Sequence, residues 1–349
     1  MTKISTAIET EDFMSATWEQ TSLADAAAAV ADIYGVAGAA KRLSSERDET
    51  FLFTRDDGTE FVLKIANPVE NPAALDFQDE VLMHLASAAP SVPVPRLVPT
   101  KKGEASHTLS TPDGPRIIRL LTFLRGELQY RTQASEEQSR NVGRALAQLG
   151  LGLESCQSHP PAGKLMWDIS HTLDLATVTD HVAPQRRAHV EAVLSEFERA
   201  APTISELSRR QIIHNDFNPH NILLDPAKPN EVVGIIDFGD MVYAPLVNDL
   251  AVALSYHLAT ENWAARTGAF LQGFLSARTL EPVEMELLPV LTRSRLAMSI
   301  IIGEWRSALF PENADYIMRN HASVWQGLLN ISDLTPAGLK TLAPNLSKA

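Results

Sequence analysis

The stretch IIHNDFNPHNILLD at residues 212–225 sets polar side chains between two apolar runs. It is followed by GIIDFGD at residues 234–240, in which an aspartate ends an apolar run. This pattern predicts two short strands, at residues 221–225 and 232–236, around a turn at residues 226–230. Such a hairpin would bring Asn221 and Asp237 together at its open end.

An aspartate followed five residues later by an asparagine, with Asp-Phe-Gly after a hairpin, is the spacing of a phosphoryl-transfer site. In such a site one carboxylate takes the alcohol proton, and an amide and a second carboxylate hold magnesium. Asp216 is therefore the predicted base or orienting residue, and Asn221 and Asp237 are the predicted Mg²⁺ ligands. The alternative is a polar loop and an ordinary strand ending in aspartate. A lone Asp-x4-Asn match is common, but the combined pattern is much rarer.

These two segments resemble the aminoglycoside phosphotransferase and choline kinase family, and most of all its hydroxylysine kinase branch. The resemblance extends from about Leu43 to about Arg306. It implies a small-molecule kinase with a protein-kinase-like fold. One position departs from the family pattern, because Asn215 stands where a glycine is usual. Asparagine tolerates unusual backbone angles better than most residues, so we expect the loop to form.

Composition narrows the possible functions. The chain has 349 residues and a formal net charge of −13, which argues against nucleic-acid binding and suits a cationic substrate. Cys156 is the single cysteine, so an intrachain disulfide or a cysteine-based metal site is excluded. The sequence has no apolar run of membrane-spanning length, and acidic residues stand where a signal peptide would need an apolar run. We therefore expect a cytoplasmic protein that binds no membrane.

Lys64 lies inside the apolar segment FVLKI at residues 61–65, and a helix is predicted to start at Asn71-Pro72. A kinase needs a strand lysine on the nucleotide phosphates and a helix glutamate that orients it. Lys64 and Glu80 fit these roles by order and element type, with Asp79 and Asp76 as competitors for the second. The alternative for Lys64 is an edge-strand side chain facing water.

Two further segments are candidates for nucleotide binding. Ser44 and Ser45 lie where a kinase places its phosphate-covering loop, and their backbone N–H groups and hydroxyls can meet phosphate oxygens. The family resemblance implies that Thr122, Phe123 and Leu124 form a hinge whose backbone holds the purine. The same residues can equally be the end of a buried core strand. The pattern does not separate ATP from GTP as the phosphate donor.

The acceptor is expected to be a small molecule with a hydroxyl group. If it is an amino acid, carboxylates must hold its ammonium, and Asp168 and Asp240 are the candidates. Its carboxylate would need an arginine fork, for which Arg295 and Arg306 are candidates eleven residues apart on one predicted helix. The alternative is that these arginines pair with acids on the protein surface.

The resemblance implies an α+β, bilobal fold. We expect a sheet-bearing nucleotide lobe at residues 1–124 and a mainly helical catalytic lobe at residues 125–349, with the nucleotide bound between them. The first acceptor candidate is a hydroxylated amino acid such as 5-hydroxylysine. Other small amino-alcohols, choline or homoserine come next, and an aminoglycoside is weaker. The alternative from another class is a non-catalytic nucleotide-binding regulator. The sequence does not indicate an oligomeric state.

Overall fold

A computed structural model of the chain describes residues 18–45 and 48–343. It has an α+β fold that divides into two compact units. The first unit ends at Arg125 and also includes Ser158–Pro161, and the second comprises Gly126–Gln157 and the chain from Ala162 onward. The sequence had suggested a division after residue 124.

The first unit contains a five-stranded antiparallel sheet with the order β1-β2-β3-β5-β4. The predicted hairpin around Asp56-Asp57-Gly58 joins its second and third strands. The helices of this unit are α1 (Leu23–Tyr34) and α2 (Pro72–Ala88). The strands are β1 (Gly38–Leu43), β2 (Glu49–Arg55), β3 (Glu60–Ile65), β4 (His107–Thr111) and β5 (Gly114–Thr122).

Helix α1 is bounded by Ser22 at its start and Gly35 at its end. The Ser22 side chain caps its first turn by accepting a backbone hydrogen bond, and Gly35 follows its last residue with a left-handed φ of 71°. Glycine adopts that conformation without steric penalty. One side of α1 packs on one face of the sheet and forms the core of this unit. Its fully buried residues are Ala26, Val30, Phe51, Phe53, Leu63, Ile65, Ile118 and Leu120.

The second unit is mainly helical. Short 3-10 segments occur at Gln129–Arg131, Ile169–His181 and Pro311–Asn313. The helices are α3 (Glu136–Leu153), α4 (Pro184–Ser205), α5 (Leu246–Ser255), α6 (Trp263–Leu275), α7 (Pro282–Leu309), α8 (Ala314–Ile317), α9 (His321–Asn330) and α10 (Pro336–Leu342). Within the described part of the chain, none of the helices is both long and apolar enough to span a membrane.

Glycines allow α3 and α6 to cross closely. A Cβ atom on Gly143 would lie 2.1 Å from the backbone oxygen of Phe270, and one on Gly273 would lie 1.8 Å from that of Arg140. Any larger residue at either position would push the helices apart. This contact fixes α3, which in turn supports the predicted hairpin at residues 221–236 through hydrogen bonds to Pro229 and Asn230.

Five strands form two small sheets in the second unit. They are β6 (Glu127–Leu128), β7 (Arg210–Ile213), β8 (Ile222–Asp225), β9 (Lys228–Ile235) and β10 (Val242–Pro245). One sheet has the order β6-β8-β9 and the other pairs β7 with β10, both antiparallel. The catalytic loop therefore runs from the end of β7 to the start of β8.

The β8–β9 hairpin is confirmed, but its turn is tighter than predicted. The predicted turn covered residues 226–230, whereas β9 already begins at Lys228. Asp225 closes the turn itself, because its carboxylate accepts a hydrogen bond from the Ala227 backbone N–H at 2.8 Å. Pro229 and Asn230 suggest a turn but belong to β9, where α3 side chains bind their carbonyl oxygens. A register shift within β8 accommodates this pairing.

Candidate active site

The backbone of the catalytic loop is held by a buried carboxylate. Asp249 on α5 accepts hydrogen bonds from the backbone N–H groups of His214, at 3.1 Å, and Asn215, at 2.8 Å. Asp249 therefore braces the loop from α5. Asn215 has a φ of 62°, which is the left-handed conformation expected where the family has glycine. The loop therefore forms with asparagine at this position.

His214 braces the same loop from its other side. Its Nδ1 accepts a hydrogen bond from the Asp216 backbone N–H at 3.3 Å. Its Nε2 lies 3.1 Å from the Ile236 carbonyl oxygen and donates to it, because a carbonyl only accepts. The ring is therefore the neutral tautomer with the proton on Nε2. Both nitrogens are used internally, so His214 links the catalytic loop to the end of the β8–β9 hairpin.

The predicted base and a predicted metal ligand are in direct contact. The Asn221 side-chain amide donates to the Asp216 carboxylate at 2.7 Å and to the Asp216 backbone oxygen at 3.0 Å. Both bonds use the amide nitrogen. The amide oxygen therefore faces away from Asp216, and it is the atom that a cation can bind.

Asp237 is brought to the same end of the hairpin. The Ile236 backbone N–H donates to the Asn221 carbonyl oxygen at 2.9 Å, so Asp237 follows directly after a residue bonded to Asn221. Asp237 has a φ of 65° and an exposed side chain. A left-handed conformation in a residue other than glycine is uncommon and concentrates at functional sites. Here it accompanies a carboxylate that faces solvent next to Asn221.

This pair of oxygen donors suits Mg²⁺. Magnesium prefers oxygen ligands and is usually held by one or two carboxylates together with substrate phosphates and water. Across residues 18–45 and 48–343, no cluster of three or more acidic, histidine or cysteine side chains is arranged to hold a metal unaided. An ion bound to Asn221 and Asp237 would therefore need oxygens from a nucleotide or from water.

The environment of Asp216 raises its pKa to about 7. Burial is the largest cause, and the neighbouring carboxylates of Asp240 and Asp237 add to it. The charge of Arg295 and a hydrogen bond with Asn218 oppose the rise. A carboxyl group with a pKa near neutrality is suited to accept a proton at physiological pH.

Arg295 of α7 lies against this carboxylate. Its Nη2 is 3.8 Å from Asp216 Oδ1, and the arginine side chain is only 3% exposed. Its Nη1 donates to the Trp167 backbone oxygen at 2.7 Å, and the guanidinium lies over the Trp167 ring at 4.9 Å. The sequence had suggested a role for Arg295 in holding an acceptor carboxylate. The structure brings it to the catalytic loop but gives it intramolecular partners.

The other predicted substrate residues are less closely grouped. Asp168 is buried and caps the Ile169–His181 segment, since its carboxylate accepts from the Ser170 backbone N–H at 2.8 Å. Asp240 is half-buried and close enough to Asp216 to raise its pKa. Arg306 is half-buried, and it lies about 16 Å further along α7 than Arg295 at 1.5 Å per residue. That separation is large for two groups that must hold one carboxylate.

Lys64 lies on the first unit's sheet, beside Thr50 of β2 and Arg119 of β5. It faces away from the α1 core and is 30% exposed. Its Nζ is 3.9 Å from a carboxylate oxygen of Asp48. The position is that of a central strand, which excludes the alternative of an edge-strand lysine.

The predicted pairing of Lys64 with Glu80 is not present, and this prediction requires correction. Glu80 is exposed, while the preceding residue, Asp79, is buried and pairs with Arg119 at 3.1 Å. Asp79 lies four residues after Leu75 and three before Leu82, and therefore on the buried stripe of α2. Glu80 is rotated about 100° from it. The spacing to these leucines was the signal that could have distinguished the two acids.

The remaining nucleotide candidates also lie in the first unit. Ser44 and Ser45 are exposed in the loop after β1. The backbone N–H groups of Thr122 and Phe123 are bonded to the carbonyl oxygens of Arg96 and Glu60. Leu124 lies outside any strand, and among the described residues its backbone N–H and C=O have no hydrogen-bond partner. Of the three predicted hinge residues, Leu124 is therefore the one whose backbone is not already engaged within the first unit.

Sequence reasoning missed two contacts at these sites. The first is the approach of Asp48 to Lys64. Asp48 comes directly after two residues outside the described ranges, in the loop that the sequence suggested as phosphate-binding. Trp167 precedes the candidate Asp168, and its local sequence does not indicate which residue it contacts. Its stacking on Arg295 is a contact over 128 residues of sequence, for which no local pattern exists.

Comparison with known proteins identifies the family. The sequence model of the phosphotransferase enzyme family matches residues 39–286. Hydroxylysine kinase of Mus musculus is 29% identical over 338 residues, covering 89% of each chain. Homoserine kinase of Hyphomonas neptunium is 30% identical over 264 residues, covering 70% of this chain and 74% of the relative.

The fold agrees with this assignment. The solved structure of a microcompartment-associated aminopropanol kinase superposes with a TM-score of 0.67 at 18% identity, covering 94% of this chain and 98% of that one. The α+β, protein-kinase-like fold expected from the sequence is therefore confirmed. Because the family model matches well over half of the chain, the protein belongs to the phosphotransferase enzyme family and is a phosphotransferase that acts on a hydroxyl group.

Proposed function

We propose that the protein transfers the γ-phosphoryl group of ATP or GTP to the hydroxyl of a hydroxylated amino acid or small amino-alcohol, with 5-hydroxylysine as the first candidate. The observation that carries this proposal is the hydrogen-bonded pair of Asp216 and Asn221, with Asp237 attached through the backbone bond from Ile236 to Asn221. A proton acceptor and two oxygen donors for a cation are thereby grouped at one end of one hairpin.

In this proposal Asp216 orients the acceptor hydroxyl and takes its proton. Its carboxylate is fixed on one side by Asn221 and faces Arg295 on another. A fixed carboxylate next to the reacting hydroxyl lowers the barrier through positioning and through proton transfer.

Asn221 and Asp237 would hold Mg²⁺ through the amide oxygen and the exposed carboxylate. When bound, the ion neutralises the charge of the triphosphate. The protein contributes a ligand pair whose relative position is set by the hairpin.

The nucleotide side uses residues of the first unit. Lys64 would bind the phosphates, with Asp48 rather than Glu80 as its neighbouring carboxylate. The exposed Ser44 and Ser45 would add backbone and hydroxyl donors to phosphate oxygens. Leu124 would bind the purine through its backbone, with Thr122 and Phe123 shaping the hinge.

The acceptor side is acidic. Asp237 and Asp240 surround Asp216 closely enough to raise its pKa, which favours an acceptor with a positive charge. Asp240 would hold its ammonium, while Asp168 is engaged as a cap. Two relatives are named for hydroxylated amino acids, which supports an amino acid over choline or an aminoglycoside. For a carboxylate on the acceptor, Arg306 would be the remaining candidate, because Arg295 is buried against intramolecular partners.

An acceptor panel tests the proposal. Purified protein is incubated with Mg²⁺, with ATP or GTP, and with 5-hydroxylysine, homoserine, 1-amino-2-propanol, choline or an aminoglycoside. The product is identified by ³¹P NMR as a phosphate ester. Acceptor-dependent turnover that is greatest for a hydroxylated amino acid or amino-alcohol is expected. Nucleotide binding without turnover for any acceptor would overturn the proposal in favour of a non-catalytic nucleotide-binding protein.

A further inference from the structure

Arg295 lies between Asp216 and Trp167, which are far apart in the sequence, and it also interacts with the Tyr256 side chain. On one side it faces the Asp216 carboxylate, and on the other it holds Trp167 by a backbone hydrogen bond and by stacking on the indole. A single guanidinium therefore fixes the position of Trp167 relative to the predicted base. Planar stacking and forked donors are properties of arginine that lysine does not share.

The burial of Arg295 indicates that its role is intramolecular. Its side chain is 3% exposed, and its Nε is buried with no hydrogen-bond partner in the described part of the chain. A carboxylate that approaches from solvent cannot reach that nitrogen. Burial of a cation is costly unless negative charge compensates for it, and the carboxylate facing it is Asp216. Arg295 thus sits where it balances the acidic group of Asp216, Asp237 and Asp240.

Trp167 differs from Arg295 in being partly accessible. The residue is half-buried although the guanidinium lies over its ring, so part of Trp167 remains in contact with solvent. The Trp167 ring centroid is 4.9 Å from Arg295 Cζ, and Arg295 Nη2 is 3.8 Å from Asp216 Oδ1. With a C–N bond of about 1.3 Å between Cζ and Nη2, the ring centroid lies no more than about 10 Å from Asp216 Oδ1. An aliphatic chain of a few carbons, with its hydroxyl at Asp216, spans such a distance.

We propose that Trp167 is an acceptor-binding residue that packs against the aliphatic chain of the amino-alcohol, and that Arg295 is the positioning residue that fixes the indole relative to Asp216. This inference rests on the proposed function, because it assumes that Asp216 receives the acceptor hydroxyl. In this proposal Arg295 holds residues of the protein itself, and a carboxylate on the acceptor would be bound by a different residue.

The chain offers a matched control for each residue. Arg293 lies two residues before Arg295 on α7 and is also buried, but it binds Glu196 and two backbone carbonyl oxygens. Trp325 is a half-buried tryptophan that packs on His189 instead. Arg293→Met and Trp325→Ala therefore reproduce the loss of a buried arginine and of an indole away from the catalytic loop.

Steady-state kinetics with the best acceptor test the proposal. In Trp167→Ala we expect the acceptor KM to rise at least tenfold while the nucleotide KM stays within twofold of wild type, and Trp325→Ala should change neither. In Arg295→Met we expect a lower kcat and a higher acceptor KM. Arg295→Lys, which keeps the charge but not the stacking, should restore kcat in part and leave the acceptor KM high, whereas Arg293→Met should lower only thermal stability. An unchanged acceptor KM in Trp167→Ala would overturn the role of Trp167.

Two further measurements make the outcome decisive. Comparing 5-hydroxylysine with its decarboxylated amine in Arg295→Met separates the alternatives: equal losses support positioning, and a loss confined to 5-hydroxylysine would show a carboxylate clamp.

If Trp167→Ala does not fold, the fluorescence difference between wild type and Trp167→Phe is followed under acrylamide quenching. Acceptor must protect that component, and no protection overturns the proposal. Absence of turnover in wild type would instead be a failure of the proposed function.

Discussion

The side-chain amide of Asn221 donates to the carboxylate of Asp216 across 2.7 Å, so a residue predicted to bind metal also positions the predicted base. The two roles are therefore coupled. A substitution of Asn221 alters the base as well as the cation site, and its kinetic effect cannot be assigned to one role. Asp216 and Asp237 are more informative to change.

Asp216→Asn keeps the size of the side chain and an oxygen that can accept from Asn221. We expect kcat to fall by at least about 100-fold, because loss of a general base typically costs that much or more. The nucleotide KM should change little. Steady-state kinetics with both substrates varied check this result. Collapse of nucleotide binding with kcat retained would make Asp216 a binding residue instead.

Asp237→Ala removes the exposed carboxylate at the end of the hairpin. Turnover should fall by at least about 100-fold, because electrostatic stabilisation of the transition state is lost. The thermal unfolding midpoint should fall only modestly, because the side chain is exposed but a φ of 65° strains alanine by about 1–2 kcal/mol. Glu231→Ala on the same hairpin, where Glu231 pairs with the exposed Lys228, is the control and should retain full activity. A folded Asp237→Ala protein with near-normal turnover would contradict the assignment.

Asn215 can be tested through backbone conformation. With a φ of 62°, a residue bearing a Cβ is strained by about 1–2 kcal/mol unless its side chain suits the left-handed region. Asn215→Ala should therefore lower the thermal unfolding midpoint more than Asn215→Gly does. Calorimetry of the two variants gives the comparison. The reverse order would show that the left-handed backbone conformation does not limit stability at this position.

Substitution of Asp79 and of Glu80 on α2 should change the unfolding free energy to very different extents. Asp79→Ala leaves the buried Arg119 without its carboxylate, and we expect a loss of about 1–3 kcal/mol of unfolding free energy. Glu80→Ala should cost less than about 0.5 kcal/mol, as is usual for exposed positions. Denaturant unfolding measures both. If Glu80→Ala instead lowered kcat tenfold without loss of stability, the original prediction that Glu80 orients Lys64 would be restored.

His257 makes stability depend on pH. Burial, with a smaller effect of the nearby Arg266 charge, lowers the pKa of His257 to about 3 from 6.5. Below pH 6.5 the unfolded chain binds a proton that the folded protein does not, so stability falls as pH drops from 6.5 towards 3. The limiting slope for one group is about 1.4 kcal/mol per pH unit. Thermal melts from pH 5 to 7 should show a smaller slope in His257→Gln than in wild type. The exposed His159→Gln serves as control and should keep the wild-type slope.

Much of the catalytic loop could be predicted because its information is local. The hairpin follows from apolar runs broken by polar residues, and the tolerance of Asn215 for a positive φ follows from its side chain. The bracing roles of His214 and Asp249 could be inferred from motif position. In each case the determining residues lie within a few dozen positions of one another.

The features that could not be predicted depend on contacts between distant segments. Arg295 was expected to face an acceptor, but which group a buried arginine meets depends on where α7 packs. Helical spacing places Asp79 on the buried stripe of α2, but it does not reveal the partner of Asp79, which is Arg119 of β5, forty residues away. Ion pairs of this kind have no periodic signature, since either partner alone reads as an ordinary charged residue.

The tight turn at Pro226 and Ala227 has a practical consequence for labelling this protein. The catalytic end of the hairpin is fixed by the bond from Ile236 to Asn221, whereas the two turn residues are exposed and lie four residues of strand away, about 13 Å at 3.3 Å per residue. Beyond them, α3 holds Pro229 and Asn230 and isolates β9 from changes at the tip. A fluorophore or short epitope inserted between Pro226 and Ala227 would therefore label the protein at a distance from Asp216, Asn221 and Asp237, and phosphotransferase turnover should be retained.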